Sequence, residues 1–190
     1  MNAMTTAPWP DHLLTLAEWD ALPQDTSRSY ELVEGVLLVV PRPAPLHQRA
    51  MWKLCHQIEN QLPDELTVLP DVEVLVQAGE PPTVRAPDVM ITRADRAAAN
   101  PSRLEAADVL VAVEIISPGT GTTDRVTKMY EYANAGIPHY WLVDLDKPVS
   151  IIAYVLVDGD YEQVAGDTAG TVTLPDPLRI TLTLNTLITR

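Results

Sequence analysis

The spacing of apolar and polar positions changes several times along this chain, and each change marks an element. Thr15-Leu16-Ala17-Glu18 has the Thr-x-x-Glu spacing of a capping box, so a short helix opens there and Pro23 ends it. YELVEGVLLVV, residues 30–40, divides around Glu34-Gly35, and its second half is dense in β-branched residues, which predicts a hairpin. From Leu46 to Leu62 the period becomes four: Leu46, Ala50, Leu54, Ile58 and Leu62 recur with Met51 and Cys55 alongside. That pattern suits a helix packed on one side, with His47, Gln48 and Glu59 near its flanks.

Alternation returns at Val72, Val74 and Val76, predicting a strand, and Asp88-Val-Met-Ile-Thr predicts another; residues 108–116 form a third, apolar enough to be central. The segment from Thr122 to Gly136 reads as the best-defined helix, with a threonine cap at one end and a glycine just beyond the other. Val126, Met129, Tyr130 and Ala133 form its expected core face, leaving Asp124, Lys128, Glu131 and Tyr132 on the polar side. HYWLVD, 139–144, is a strand, Asp158-Gly159 closes a second hairpin, and TVTLPDPLRITLTL adds further β segments. The order predicts an α/β fold, a mixed β-sheet flanked by helices on two sides, with an N-terminal β-hairpin and C-terminal strands.

Length adds little beyond one domain: 190 residues suffice for a sizeable core, organised here as an N-terminal tail, 1–11, and a single domain over 12–190. No apolar run approaches the ~18 residues of a membrane span, and MNAMTTAPWPDH lacks a signal-peptide layout, so the expected setting is cytoplasmic, away from membranes. The lone Cys55 excludes an internal disulfide and a thiolate zinc site. Net charge changes the picture more. At −13 the chain opposes non-specific binding to phosphate backbones, and only Arg85, Arg93, Arg96, Arg125 and Lys128, grouped near the motifs in sequence, offer a local basic set.

Glu114 inside VLVAVEII poses the chemical question, because a buried ionised group costs several kcal/mol unless compensated. Two strand carboxylates and a helix lysine suit phosphodiester hydrolysis: carboxylate oxygens hold a hard cation such as Mg²⁺, with Mn²⁺ as a substitute, and lysine offsets charge developing on phosphoryl oxygens. Asp88, Glu114 and Lys128 fit those parts if their strands adjoin, with Asp71 after Pro70 competing for the first. The plainer alternatives are an i, i+4 ion pair between Lys128 and Asp124, worth ~0.2–0.5 kcal/mol, and a metal-free Glu114–Lys128 pair. Asp124 and Ser117 stand as supporting candidates or as helix-start and turn residues, and Glu34, ahead of Glu31, as a hairpin candidate or a solvated turn glutamate. No histidine pair has the spacing of a helical zinc motif, and neither a Gly-rich phosphate loop nor a nucleophile elbow is present.

PDVMI at 87–91, VEIISPGT at 113–120, DRVTKMYEYANAGIPHYWLVD at 124–144, and YELVEGVLL followed by His47-Gln48 together resemble the Uma2 family of predicted endonucleases, also called DUF820. That family is similar to the PD-(D/E)xK restriction-endonuclease superfamily. The resemblance runs over roughly residues 12–185. It implies a Mg²⁺-dependent endonuclease acting on DNA in preference to RNA, with Asp88 and Glu114 as metal ligands, the backbone carbonyl of Ile115 as an extra oxygen, and Asp88 preferred to Asp71. The superfamily signature would place lysine at 116, where this chain has isoleucine. The resemblance implies that Lys128 on the following helix takes its place and that His47 faces the cleft. The alternative class is a non-catalytic interaction protein, such as a homodimer, keeping the nuclease-like fold, which the acidic charge favours.

Overall fold

The computed structural model describes residues 10–23, 29–117, 119, 121–168, 170–175 and 178–189. In chain order its elements are helix α1 (Leu16–Asp20), strands β1 (Ser29–Val33) and β2 (Val36–Val40), helix α2 (Pro45–Glu59), β3 (Leu66–Pro70), β4 (Val74–Gln77), β5 (Thr83–Arg85) and β6 (Val89–Arg93). Helix α3 (Ala94–Ala98), β7 (Leu104–Glu105), β8 (Val109–Ile116), a π-helical segment (Thr123–Lys128) running into α4 (Met129–Asn134), and β9 (His139–Asp144) follow. The chain closes with β10 (Ser150–Val157), β11 (Asp160–Thr168), β12 (Thr171–Thr173) and β13 (Thr181–Thr183).

These strands build a six-stranded sheet, β11-β10-β9-β8-β6-β3, a five-stranded sheet, β2-β1-β5-β4-β7, and the ribbon β12-β13. Both predicted hairpins form, turning at Glu34-Gly35 and Asp158-Gly159, where φ is positive at all four residues. Positive φ at both central positions matches the twist of the flanking strands. The capping box also forms: Glu18 N–H donates to Thr15 Oγ1, and Thr15 N–H to the Glu18 carboxylate. Strand β3 and the three-residue β5 lie outside the strands that the pattern predicts.

The middle of the six-stranded sheet supports the site. β6 and β8 are antiparallel neighbours with Val89 opposite Val113, whereas β8 and β9 are parallel. A parallel pair requires a crossover, supplied here by the helical segment between them. On β8, Val111, Val113 and Ile115 pack toward α2 with Ala50, Leu54 and Ile58, while Ala112 packs with Tyr132, Tyr140 and Met90 on the other face. Glu114 falls in the second set by strand alternation, so its carboxylate points toward α4.

The crossover departs most from its predicted form. Thr122 is itself helical and makes no side-chain cap, and the chain runs through a π-helical segment before becoming α-helical. Its buried face is rotated from the predicted one: Asp124, Lys128 and Tyr132 are buried and Val126 and Tyr130 are 61% and 70% exposed, while Met129 and Ala133 of the expected core face are half-buried. The C-terminal glycine behaves as expected. Gly136, at φ +78°, lets its own N–H reach Ala133 O and the Ile137 N–H reach Tyr132 O, satisfying the last carbonyls. Pro118, just beyond β8, lies outside the described residues, as do residues 1–9 and 24–28.

Candidate active site

Asp88 stands one residue before the Val89–Val113 pair, beside Glu114, and the two strands join there through a side chain. The Ile115 N–H donates to Asp88 Oδ2 at 2.7 Å. From the α2 side, His47 Nε2 lies 3.2 Å from the same oxygen and 3.0 Å from the Ile115 carbonyl oxygen. His47 is buried, and its Nδ1 has no hydrogen-bond partner among the described residues. With Nε2 carrying the proton, the imidazole donates into the angle between those two oxygens. Burial pulls the His47 pKa down, yet Asp88 and the Ile115 carbonyl outweigh it and the net direction is up.

Glu114 is enclosed from the α4 side. Lys128 Nζ donates to its Oε2 at 2.8 Å and Tyr132 Oη to its Oε1 at 2.8 Å. Burial raises the Glu114 carboxyl to about 8, opposed by the Lys128 charge and reinforced by Asp88 and Asp124. Burial alone would push the Lys128 ammonium toward neutrality, but Glu114, Glu31 and Asp124 prevail and its pKa goes up. Glu31 Oε1 lies 3.6 Å and Asp124 Oδ1 3.7 Å from Lys128 Nζ. Lys128 is therefore a fixed positive charge, unavailable as a base at neutral pH.

A second cation braces this cluster. Arg85, 2% exposed on β5, donates to Glu31 from one terminal nitrogen at 2.7 Å and to both oxygens of Glu131 from Nε and the other nitrogen, each at 2.7 Å. This forked geometry holds two carboxylates in fixed planes. Tyr140 Oη donates to the Asp124 carbonyl oxygen, tying the π-helical turn to β9. The network thus spans β1, β5, β8, β9 and both parts of the crossover helix.

Asp88, Glu114, the Ile115 carbonyl, His47, Lys128 and Asp124 are brought together; Glu34 is not. Glu34 is exposed at the hairpin turn, with its backbone N–H donating to Thr83 Oγ1, and Glu31 three residues earlier is the hairpin carboxylate that enters. Ser117 is half-buried just beyond β8. Asp71 remains nearby, its N–H donating to the Asp88 carbonyl oxygen from a backbone at φ +51°. Sequence reasoning missed Arg85 and Glu131 as partners and assigned Tyr132 to the wrong face. The usable signal was the run Asp124, Lys128, Tyr132, three polar groups each four apart.

The expected local basic set does not exist as a surface. Arg85 pairs with Glu31 and Glu131, Arg93 with Asp95, Arg96 with Asp108, Arg125 with Asp144, and Lys128 with Glu114. Each charge is consumed by a neighbouring carboxylate.

Among the described residues no three His, Cys, Asp or Glu side chains converge as a metal cage. The set is instead two carboxylates and one carbonyl, hard oxygens suited to Mg²⁺, which fills its remaining positions with water. Asp88 Oδ2 and the Ile115 carbonyl both face His47 Nε2, which occupies the position between them. In the wider cluster Glu31, Asp88, Glu114, Asp124 and Glu131 meet Lys128, Arg85 and His47.

Residues 16–186 match a family model named Uma2 and described as "Putative restriction endonuclease". A crystal structure of "a putative nuclease belonging to DUF820" from Anabaena variabilis is similar in fold, with a TM-score of 0.72 at 20% identity over 92% of this chain and 97% of that one. No curated protein matches the chain. Among the described residues no helix is long and apolar enough to cross a membrane.

Proposed function

The chain belongs to the Uma2 family, and from that premise we propose that it is a Mg²⁺-dependent endonuclease hydrolysing phosphodiester bonds in DNA. One observation carries the reading: Asp88 and Glu114 stand across from each other on neighbouring strands, with Asp88 Oδ2 bonded to the Ile115 N–H and Glu114 to the buried Lys128. Asp88, Glu114 and the Ile115 carbonyl would hold the cation, which when bound polarises the phosphate and acidifies an attacking water. Lys128 stays protonated and stabilises charge building on the phosphoryl oxygens. Tyr132 and Glu31 orient it, the first by fixing the Glu114 carboxylate and the second by flanking the ammonium. His47 orients the Asp88 carboxylate from the opposite face of the sheet.

The test compares cleavage of plasmid and linear DNA, with RNA alongside, in Mg²⁺, Mn²⁺ and chelator. Asp88→Ala should abolish cleavage, and Lys128→Ala should lower kcat by roughly 10²–10³-fold, the scale of losing one charge-stabilising donor. Cleavage that persists in both variants would reject these roles.

A second reading has one observation behind it: both Glu114 oxygens are already engaged by Lys128 and Tyr132. A nuclease-fold interaction protein, acting as a homodimer, would keep that pair closed permanently. Calorimetric titration with Mn²⁺ separates the two, since heat that disappears in Glu114→Ala supports the nuclease and no heat in wild type supports the alternative.

A further inference from the structure

The nuclease reading leaves a physical difficulty, namely where a polyanion rests on a chain of net charge −13. The cations near the motifs are matched by acids. Helix α2 differs: before its last residue, Glu59, it contains His47, Arg49, Lys53 and His56 and not one Asp or Glu.

The two faces of α2 are unlike. Inward, His47, Ala50, Leu54 and Ile58 are buried, and His47 reaches Asp88. Outward, Arg49, Trp52 and His56 follow one another at i, i+3 and i+7, all exposed. Trp52 keeps 65% of its surface exposed while stacking on His56, with ring centroids 5.7 Å apart and planes 6° from parallel. Among the described residues Arg49 has no acidic partner, and Lys53 donates to the carbonyls of Thr186 and Thr189 instead of to a carboxylate. This is an aromatic face beside unneutralised positive charge, with nothing in the fold that needs the indole there.

We infer that the outer ridge of α2 binds a single-stranded stretch of nucleic acid, with the Trp52 indole stacking on a base and the Arg49 guanidinium meeting a phosphate. This rests on the nuclease reading and adds the class of substrate. Stacking on a side chain requires an unpaired base, whose π-face is accepted whatever its identity. Phosphate attraction to Arg49 is local, because charges more than about 10 Å away are screened at ordinary ionic strength. The ridge and His47 lie on opposite sides of one helix, about 10 Å across. A strand on the ridge reaches Asp88 by passing over the acid-free first turn.

The experiment is fluorescence anisotropy with a labelled single-stranded DNA oligonucleotide and its duplex, in chelator so that neither is cut. Wild type should prefer the single strand. Trp52→Ala should weaken that binding roughly ten-fold or more, while Trp52→Phe keeps most of it. Arg49→Gln should weaken it and lower the salt slope by about one. Arg93→Gln, whose side chain pairs with Asp95, should change nothing. Melting temperatures of the variants confirm that these surface changes leave the fold intact, and Trp52→Gln repeats the test should Trp52→Ala melt early. Wild-type affinity in both Trp52→Ala and Arg49→Gln, or no preference for the single strand in wild type, would overturn this inference and leave the nuclease reading standing. A wild type that binds neither oligonucleotide would overturn both.

Discussion

Glu114 shows how one residue is tolerated where its chemistry is unfavourable. Its carboxyl group, 2% exposed, is tolerated in an apolar strand because a lysine and a tyrosine each bond one oxygen. The same burial raises its pKa to about 8 without bound metal, above the ordinary carboxyl range of the unfolded chain. The native state therefore holds a proton that the unfolded state releases, and stability falls as pH rises from about 5 through 8. Melting curves in chelator should show Tm declining across that window, and Glu114→Gln should flatten the decline. Cys55 makes a second prediction at this scale. Burial pushes its thiol up to about 11, so at pH 8 roughly one molecule in a thousand carries thiolate. Alkylation of the native protein should be slow, and unfolding in urea should accelerate it sharply.

At the scale of the element, the crossover helix rotates its buried face away from the predicted one. Residues four apart on an α-helix drift by about 40° per step, so Asp124, Lys128 and Tyr132 would fan away from the sheet. In a π turn, closed by bonds to the fifth residue, a step of four falls short of a full turn and offsets that drift. The π-helical stretch over Thr123–Lys128 thus gathers three polar groups on the side facing Glu114, turning Val126 and Tyr130 to solvent. Val126→Ala and Tyr130→Ala should each change stability by no more than about 0.5 kcal/mol, although the sequence marks both as core. Tyr132→Phe, which leaves a Glu114 oxygen without its donor, should cost about 1–3 kcal/mol by urea denaturation. The opposite result would restore the amphipathic reading.

Over the whole molecule, the site doubles as the joint between sheets. Arg85 belongs to the five-stranded sheet and Glu114 to the six-stranded one, and the path between them runs through Glu31 and Lys128 without a gap wider than 3.6 Å, with Glu131 branching from Arg85. Removing one partner of such a network strands the others as buried charges. Arg85→Gln should cost about 3–5 kcal/mol in denaturant unfolding. It should also release Glu31 to compete for Lys128. The double variant Arg85→Gln with Glu31→Gln should recover part of that loss, since neighbours in one network do not add.

Much of the architecture was legible because it is local. The capping box at Thr15, the hairpins at Glu34-Gly35 and Asp158-Gly159 and the C-terminal glycine at 136 each depend on conformational preferences within a few residues, and Asp88, Glu114, Lys128 and His47 were legible through motif order. What tertiary structure alone decided is which groups meet. The choice of Glu31 over Glu34 follows from one hairpin register, and the burial of Lys128 from two carboxylates on other elements, Glu31 and Glu114, that join Asp124 of its own segment. The loss of the apparent basic surface follows from acids that fold beside each arginine. Local preference is written in neighbouring residues, whereas pairing of charges depends on strand order and helix winding, and no periodicity in the chain encodes those distances.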